Sequence, residues 1–439
     1  MNITERYVQR FLLEGNELIQ FEAFVHSSTN APVTVTIAFY DAIGGAIKTV
    51  TGSTNSEDYG KAEIYVQSPA LTRYAEARIE APGDAYADIS IDKVVLTKVN
   101  SSAYVAPEID LDAYGLPLWE GNTVHDEPVM FFAEAGEAPT GKLLHAPNRI
   151  LSVKSRDLRT LFAEGADYII DGNKLTLTPN SAIAYTKDAD LPDDLFHYYD
   201  LTDIRVAVTY THDGLWEGPE VASKGDRLSR TLAKLRTKQQ VRIVAYGDSI
   251  TRGLNVSSYD RVPPYMPTWV ELFADQLSKK HGYDNIAIYN AGLPGATSEW
   301  GADEADLYVT PLHPDLVVIA FGMNDFWGVD GVRFKDNIRK IIDKAKAAHD
   351  DTEFVLISSM LFDPAYPNDG KLDDYSRNMQ DYRSALLSLE GQGIAVHDMT
   401  AISEYLYSRK KPKDMLPNPL HPGDYLARWY AQGLVRALE

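Results

Sequence analysis

From Asn16 to Lys98 apolar and polar residues alternate, as in Val33-Thr34-Val35-Thr36-Ile37-Ala38-Phe39-Tyr40 and Ala87-Asp88-Ile89-Ser90-Ile91. A period of two sends successive side chains to opposite faces of a sheet, so this stretch predicts an all-β sandwich. Turn formers separate the runs at Gly44-Gly45, Asn55-Ser56 and Pro82-Gly83. Ser, Asn and Pro between Asn100 and Pro107 read as a linker. Short strands then resume to about Lys224, for instance Arg149-Ile150-Leu151-Ser152-Val153 and Lys174-Leu175-Thr176-Leu177 after the turn Asp171-Gly172-Asn173. They predict a second β domain.

At Gln240 the period changes. Short, nearly continuous apolar runs (Val241 to Tyr246, Asn285 to Tyr289, Leu316 to Phe321, Phe354 to Ile357, Ile394 to Val396) alternate with segments of helical period. Strands buried on both faces read this way, so the segment predicts a parallel sheet covered by helices, a three-layer, flavodoxin-like α/β domain. One helix opens with a capping box, Thr268 and Glu271, and lines up Trp269, Leu272, Phe273 and Leu277. Phe334, Ile338, Ile341, Ile342 and Ala345 repeat the spacing, as do Tyr425, Leu426, Trp429, Tyr430 and Leu434. The expected organisation is residues 1–104 and 105–236 as two β domains and 237–439 as the α/β domain.

Charge narrows the partners. With 63 acidic and 42 basic residues the net charge is -21, which repels nucleic-acid phosphates and anionic membranes, and no basic cluster reverses it. The chain has no cysteine, which excludes disulfides, thiolate metal sites and a cysteine nucleophile. Met1 to Asn16 lacks the apolar core and cleavage site of a signal peptide, and no segment offers the roughly 20 apolar residues of a membrane span. A cytoplasmic location is the default expectation, or an extracellular one if an export segment was trimmed. Phosphate-binding loops, His-Glu-x-x-His and dinucleotide fingerprints are all absent, so no cofactor and no metal are expected.

In open parallel sheets, chemistry sits at the carboxyl ends of the strands. Gly247-Asp248-Ser249-Ile250-Thr251 follows the first run, Asn290-Ala291-Gly292-Leu293-Pro294-Gly295 the second and Gly322-Met323-Asn324-Asp325 the third; Asn418-Pro419-Leu420-His421-Pro422 precedes the last helix. A serine hydroxyl needs an imidazole to take its proton, and His421 is suited to that. The tetrahedral oxyanion needs fixed N–H donors, for which a closely approaching glycine amide and a neutral side-chain amide serve. Each block also has a plainer use: a serine in a tight turn, a histidine at a helix start, an asparagine cap, a glycine in a left-handed bend.

Together and in this order the four blocks resemble the SGNH (GDSL-like) hydrolase family over roughly the last 200 residues. The resemblance implies Ser249 as nucleophile, His421 as base, and an oxyanion hole from the amides of Ser249 and Gly292 with the Asn324 side chain. The family places an aspartate three residues before the histidine, and this chain has Asn418. An amide carbonyl can orient the ring but cannot balance its charge, so three readings stay open. Asn418 or a main-chain carbonyl orients the imidazole, Asp414 or Asp398 supplies the charge, or the enzyme is slow.

Asp248 and Asp325 are expected to be loop scaffold, and His397, beside Asp398, a satisfied histidine at the sheet edge. Trp300, Phe326 and Trp327 are read as either pocket wall or lid packing. The first β domain looks like a jelly-roll carbohydrate-binding module. The expected activity is ester hydrolysis through an acyl-enzyme, removing acetyl groups from sugars, with a small-molecule or oligosaccharide ester as substrate. A lipase, thioesterase or arylesterase and a non-catalytic glycan-binding protein are the alternatives.

Overall fold

The structure, a computed structural model, describes residues 6–12, 18–27, 33–40, 46–54, 60–67, 72, 74–80, 89–98, 109–134, 136–187, 204–260, 262–366 and 370–439. The turns read at Gly44-Gly45, Asn55-Ser56 and Pro82-Gly83, residues Ala87 and Asp88, and the linker at 100–107 lie outside them. The chain divides into two compact units, 1–106 and 107–439.

In the first unit the alternating segments form two antiparallel sheets. One has the order Arg6–Leu12, Tyr74–Glu80, Val33–Tyr40, Ala46–Thr54, and the other Gly60–Gln67, Leu18–Ser27, Ile89–Lys98. Ile19, Phe21, Ile37, Phe39, Val50, Val66, Ala75 and Ala77 are buried. Ile19 and Phe21, Ile37 and Phe39, and Ala75 and Ala77 fall two apart as alternation predicts, and Ala38 and Glu76 between the latter pairs are buried as well.

The second unit carries a five-stranded parallel sheet in the order Ile286–Gly292, Val241–Gly247, Leu316–Ala320, Glu353–Ser358, Ile394–Asp398. Its inner strands are apolar on both sides because helices cover both faces. Trp269–His281 packs with the terminal helix Asp424–Ala437, and Ser298–Tyr308 packs with Gly331–Ala348, itself against Leu372–Leu387. The capping box at Thr268 and Glu271 is present. Among the described residues no helix is long and apolar enough to cross a membrane.

Two antiparallel sheets precede this layer: Leu161–Phe162, Pro147–Ser155, Val206–His212, Thr123–Val129, and Tyr168–Asp171, Lys174–Leu177, Thr140–Lys142. Residues 107–439 form one compact unit that holds these sheets together with the parallel one. The reason is a shared interior, since buried side chains from Tyr114 to Tyr210 belong to the same core cluster as those of the parallel sheet.

Polar ties join the two parts as well. The Arg205 guanidinium donates to Lys413 O at 2.9 Å and to Leu416 O at 2.6 Å, and Lys410 Nζ meets Glu127 Oε1 at 2.5 Å with both side chains fully buried. The β-rich region thus grips the loop that leads to His421. Removing one partner of a buried pair strands the other charge, so Lys410→Met is expected to destabilise the protein by about 3–5 kcal/mol in urea unfolding. A loss under about 1 kcal/mol would show that the pair is not desolvated in solution.

Candidate active site

The site is built where the Val241–Gly247 strand turns into a short helix, Ser249–Arg252. Asp248 N-caps that helix by accepting from Ile250 N–H at 2.9 Å, which lifts Ser249 to the first helical position. At that position a backbone N–H has no acceptor within the helix, and the Ser249 N–H meets none among the described residues. Ser249 Oγ lies 2.8 Å from His421 Nε2, across 172 positions of sequence. Both aspartates next to the blocks serve as scaffold. Burial pushes the Asp248 carboxyl up to about 7, and Asp325, pushed up to about 6 by burial, accepts from Ser298 N–H at 2.9 Å and Ser298 Oγ at 2.5 Å.

Burial lowers the His421 imidazole to about 4, with no carboxylate at hand to offset it. At neutral pH the ring is therefore uncharged. Asn418 does touch it, with Nδ2 2.8 Å from His421 Nδ1. The contact is made by the amide nitrogen and not by the carbonyl, which is the end able to accept from a ring N–H. The carbonyl is occupied: Asn418 Oδ1 accepts from Leu420 N–H at 2.9 Å and His421 N–H at 3.0 Å, an Asx turn of the kind Asn makes before Pro.

Neither alternative carboxylate reaches the ring. Asp414 accepts from Met130 N–H at 2.9 Å and lies 3.8 Å from Lys410 Nζ. Asp398 caps the helix Met399–Arg409 and binds Arg383 Nε at 2.7 Å and Ser358 Oγ at 2.9 Å.

The glycine expected to donate to the oxyanion is differently employed. Gly292 N–H donates to Asn290 Oδ1 at 3.0 Å, and a Cβ there would stand 2.4 Å from the Arg252 backbone nitrogen. Gly292 is thus a spacer that lets the nucleophile helix pack on the neighbouring strand. Three residues on, Gly295 occupies the left-handed region at φ +79° in a turn closed by Ala296 N–H to Leu293 O. Its N–H meets no acceptor among the described residues, and Leu293 N–H to Gly247 O at 3.0 Å holds this turn against the end of the strand that leads into Ser249. Asn324 Nδ2 spends one hydrogen on Ala296 O at 2.9 Å, leaving its second to point elsewhere. Gly295, Asn290 and Asn255, which contacts Asn418, were not singled out from sequence; only the second glycine of Asn290–Gly295 hinted at any of them.

His397 is buried, donates from Nε2–H to Trp429 O at 3.2 Å and belongs to the core. Trp300 packs on Tyr246 and Tyr308 beside the sheet, Phe326 is buried against Trp327 and Phe362, and Trp327 is 43% exposed. Of the three, Trp327 is the most exposed. Among the described residues no cluster of three or more metal-ligating side chains occurs.

The order of these elements, with a serine and a histidine meeting at the carboxyl edge of a five-stranded parallel sheet, coincides with a match of residues 245–428 to the GDSL-like Lipase/Acylhydrolase family. This segment belongs to that family. The GDSL-like domain is a carboxylic ester hydrolase. No curated protein sequence matches the chain. Among solved structures the GDSL-like domain is similar to an acetylxylan esterase from Geobacillus stearothermophilus (16% identity, 45% of this chain and 94% of that one, TM-score 0.37). It is also similar to a lipase/acylhydrolase from Enterococcus faecalis (22% identity, 45% and 94%, TM-score 0.35).

Proposed function

We propose that the protein hydrolyses esters through an acyl-enzyme on Ser249, with His421 as general base. The observation that carries this reading is the 2.8 Å approach of Ser249 Oγ to His421 Nε2, a distance within reach for proton transfer. Ser249 Oγ attacks the ester carbonyl, its proton passes to His421 Nε2, and the alcohol leaves with that proton. Water then repeats the sequence on the acyl-enzyme, releasing the acid and restoring the serine. The oxyanion is received by the Ser249 N–H and Asn324 Nδ2, with Gly295 N–H in place of Gly292 as the third donor.

The finer reading is removal of acetyl groups from sugar hydroxyls, with the amino-terminal sandwich engaging glycan. It is supported by the β-sandwich unit ahead of the hydrolase domain and by a sequence without a long apolar lid. A fluorophosphonate probe is expected to label the native protein and to leave Ser249→Ala unlabelled; an inert native protein, given ample time, would favour a binding role instead. p-Nitrophenyl acetate is expected to be a better substrate than the octanoate by kcat/KM. A marked preference for octanoate would overturn the acetylesterase assignment while leaving Ser249 in place.

A further inference from the structure

The orientation of the Asn418 side chain follows from groups whose roles cannot be exchanged. Leu420 N–H and His421 N–H both aim at one end of it, at 2.9 and 3.0 Å. Peptide N–H groups only donate, so that end is the carbonyl oxygen. The NH2 end then faces two acceptors, Asn255 Oδ1 at 2.7 Å and His421 Nδ1 at 2.8 Å, one for each hydrogen. Asn255 is oriented from behind in the same manner, because its Nδ2 lies 3.2 Å from Asp260 Oδ2 and a carboxylate only accepts. Asn255 is buried, in a left-handed conformation at φ +67°, and so has little freedom to rearrange. Peptide donors on one side and a carboxylate on the other leave the Asn418 amide a single way round.

That orientation decides where the imidazole keeps its proton. A neutral ring carries one, and with Nδ1 accepting from Asn418 it sits on Nε2, pointing at Ser249 Oγ. The serine oxygen then accepts from the ring, and Nε2 has no lone pair with which to take the serine proton. Resting on the Ser249–His421 reading above, we propose that Asn418 is a positioning residue that holds His421 in its Nε2–H form and thereby restrains ester hydrolysis, and that Asn418→Asp releases the restraint.

For the ring to act as base its proton must move to Nδ1, where it would face the Asn418 N–H head-on at a distance now occupied by a hydrogen bond. Turnover therefore draws on a minor population in which the amide is displaced or the tautomer is disfavoured. A carboxylate at 418 keeps one oxygen for the Leu420 and His421 N–H groups and offers the other to Nδ1–H. In serine proteases the reverse exchange, aspartate to asparagine, lowers kcat about 10⁴-fold through the wrong tautomer. The gain here is expected to be roughly 10³-fold or somewhat more, because Asn255 Oδ1 must turn away from the new carboxylate.

Acidity gives a second readout that a merely structural residue would not move. The ring has no carboxylate against it; Asp260 stands behind Asn255, and Asp424 accepts from Ser257 N–H at 2.7 Å. Burial alone lowers His421 to about 4, so the low-pH limb of native kcat/KM is expected to lie well below neutrality. A carboxylate hydrogen-bonded to Nδ1–H favours the imidazolium and raises that limb by a pH unit or more.

The experiment measures kcat and kcat/KM against pH for p-nitrophenyl acetate with the native protein, Asn418→Asp and Asn418→Asp/Ser249→Ala. Beside it, long-range 1H–15N correlation on histidine-labelled native protein, assigned with His421→Ala, locates the ring proton. Expected are a gain of about 10³-fold in kcat with the acid limb displaced upward, both lost in the double variant, and a native proton on Nε2. Asn418→Asp turning over within tenfold of native on an unmoved limb, or a native proton on Nδ1, overturns the inference. In that case fluorophosphonate labelling of Ser249 would leave the proposed function standing. Failure of the probe to label Ser249 in both native and Asn418→Asp protein removes the proposed function itself. Should Asn418→Asp not fold, the native tautomer decides alone.

Discussion

Ser249→Ala and His421→Ala are each expected to lower kcat by about 10²-fold in the native background and by about 10⁵-fold in an Asn418→Asp background, the difference being the roughly 10³-fold gain of Asn418→Asp itself. Nucleophile, base and carboxylate act as a unit. In a serine protease removing the first or second costs about 2 × 10⁶ in kcat and removing the carboxylate alone about 3 × 10⁴, so a triad already lacking its carboxylate has roughly the quotient left to lose. Asn418 stands in that position, with an N–H where the family has an acceptor. Single-turnover hydrolysis of p-nitrophenyl acetate in the six proteins of this cycle measures both losses. A 10⁶-fold loss on His421→Ala from the native protein would mean that Asn418 does not impede the base. No loss at all would place the proton acceptor elsewhere.

The second large effect belongs to the oxyanion donors, which carry most of what remains when a triad is impaired. Asn324→Ala is expected to reduce kcat by about 10²–10³-fold with little change in KM, since the lost hydrogen bond strengthens only as the carbonyl oxygen takes on charge. Asn324 Nδ2 already gives one hydrogen to Ala296 O, which aims the other and makes the group rigid before substrate arrives. Gly292→Ala separates the two possible duties of that glycine. Its N–H donates to Asn290, and the new Cβ would press on the Arg252 backbone, so the expected signature is lost stability in urea. A stable Gly292→Ala protein with a selective kcat defect would restore Gly292 to the oxyanion hole.

Much of this was readable in the chain before folding. Period-two alternation over Val33–Tyr40 became a strand of the first sandwich, and the five apolar runs from Val241 to Val396 became the five parallel strands. Ser249 and His421 stood out as candidates because each lies at a punctuation point of the chain, one after a strand and one before the last helix. The single unit spanning 107–439 was less legible, because β strands of either domain type share one alternating pattern. What joins them, such as Lys410 on Glu127 and Arg205 on the Lys413 carbonyl, links positions more than 200 residues apart.

The roles within the blocks show the same division. An asparagine at 418, a glycine at 292 and the nearby carboxylates of Asp398 and Asp414 are all visible as residue types, and each was a reasonable candidate. Hydrogen bonds are directional, and which end of an amide or which peptide N–H is already engaged depends on neighbours that sequence spacing does not order. The sequence alone determined the elements and nominated Ser249 and His421 as candidate reacting groups, since periodicity and residue chemistry are local properties. Only the tertiary structure decided the direction of the Asn418 amide, the engagement of the Gly292 N–H and the distance of both aspartates from His421, because those are set by contacts closed across the fold.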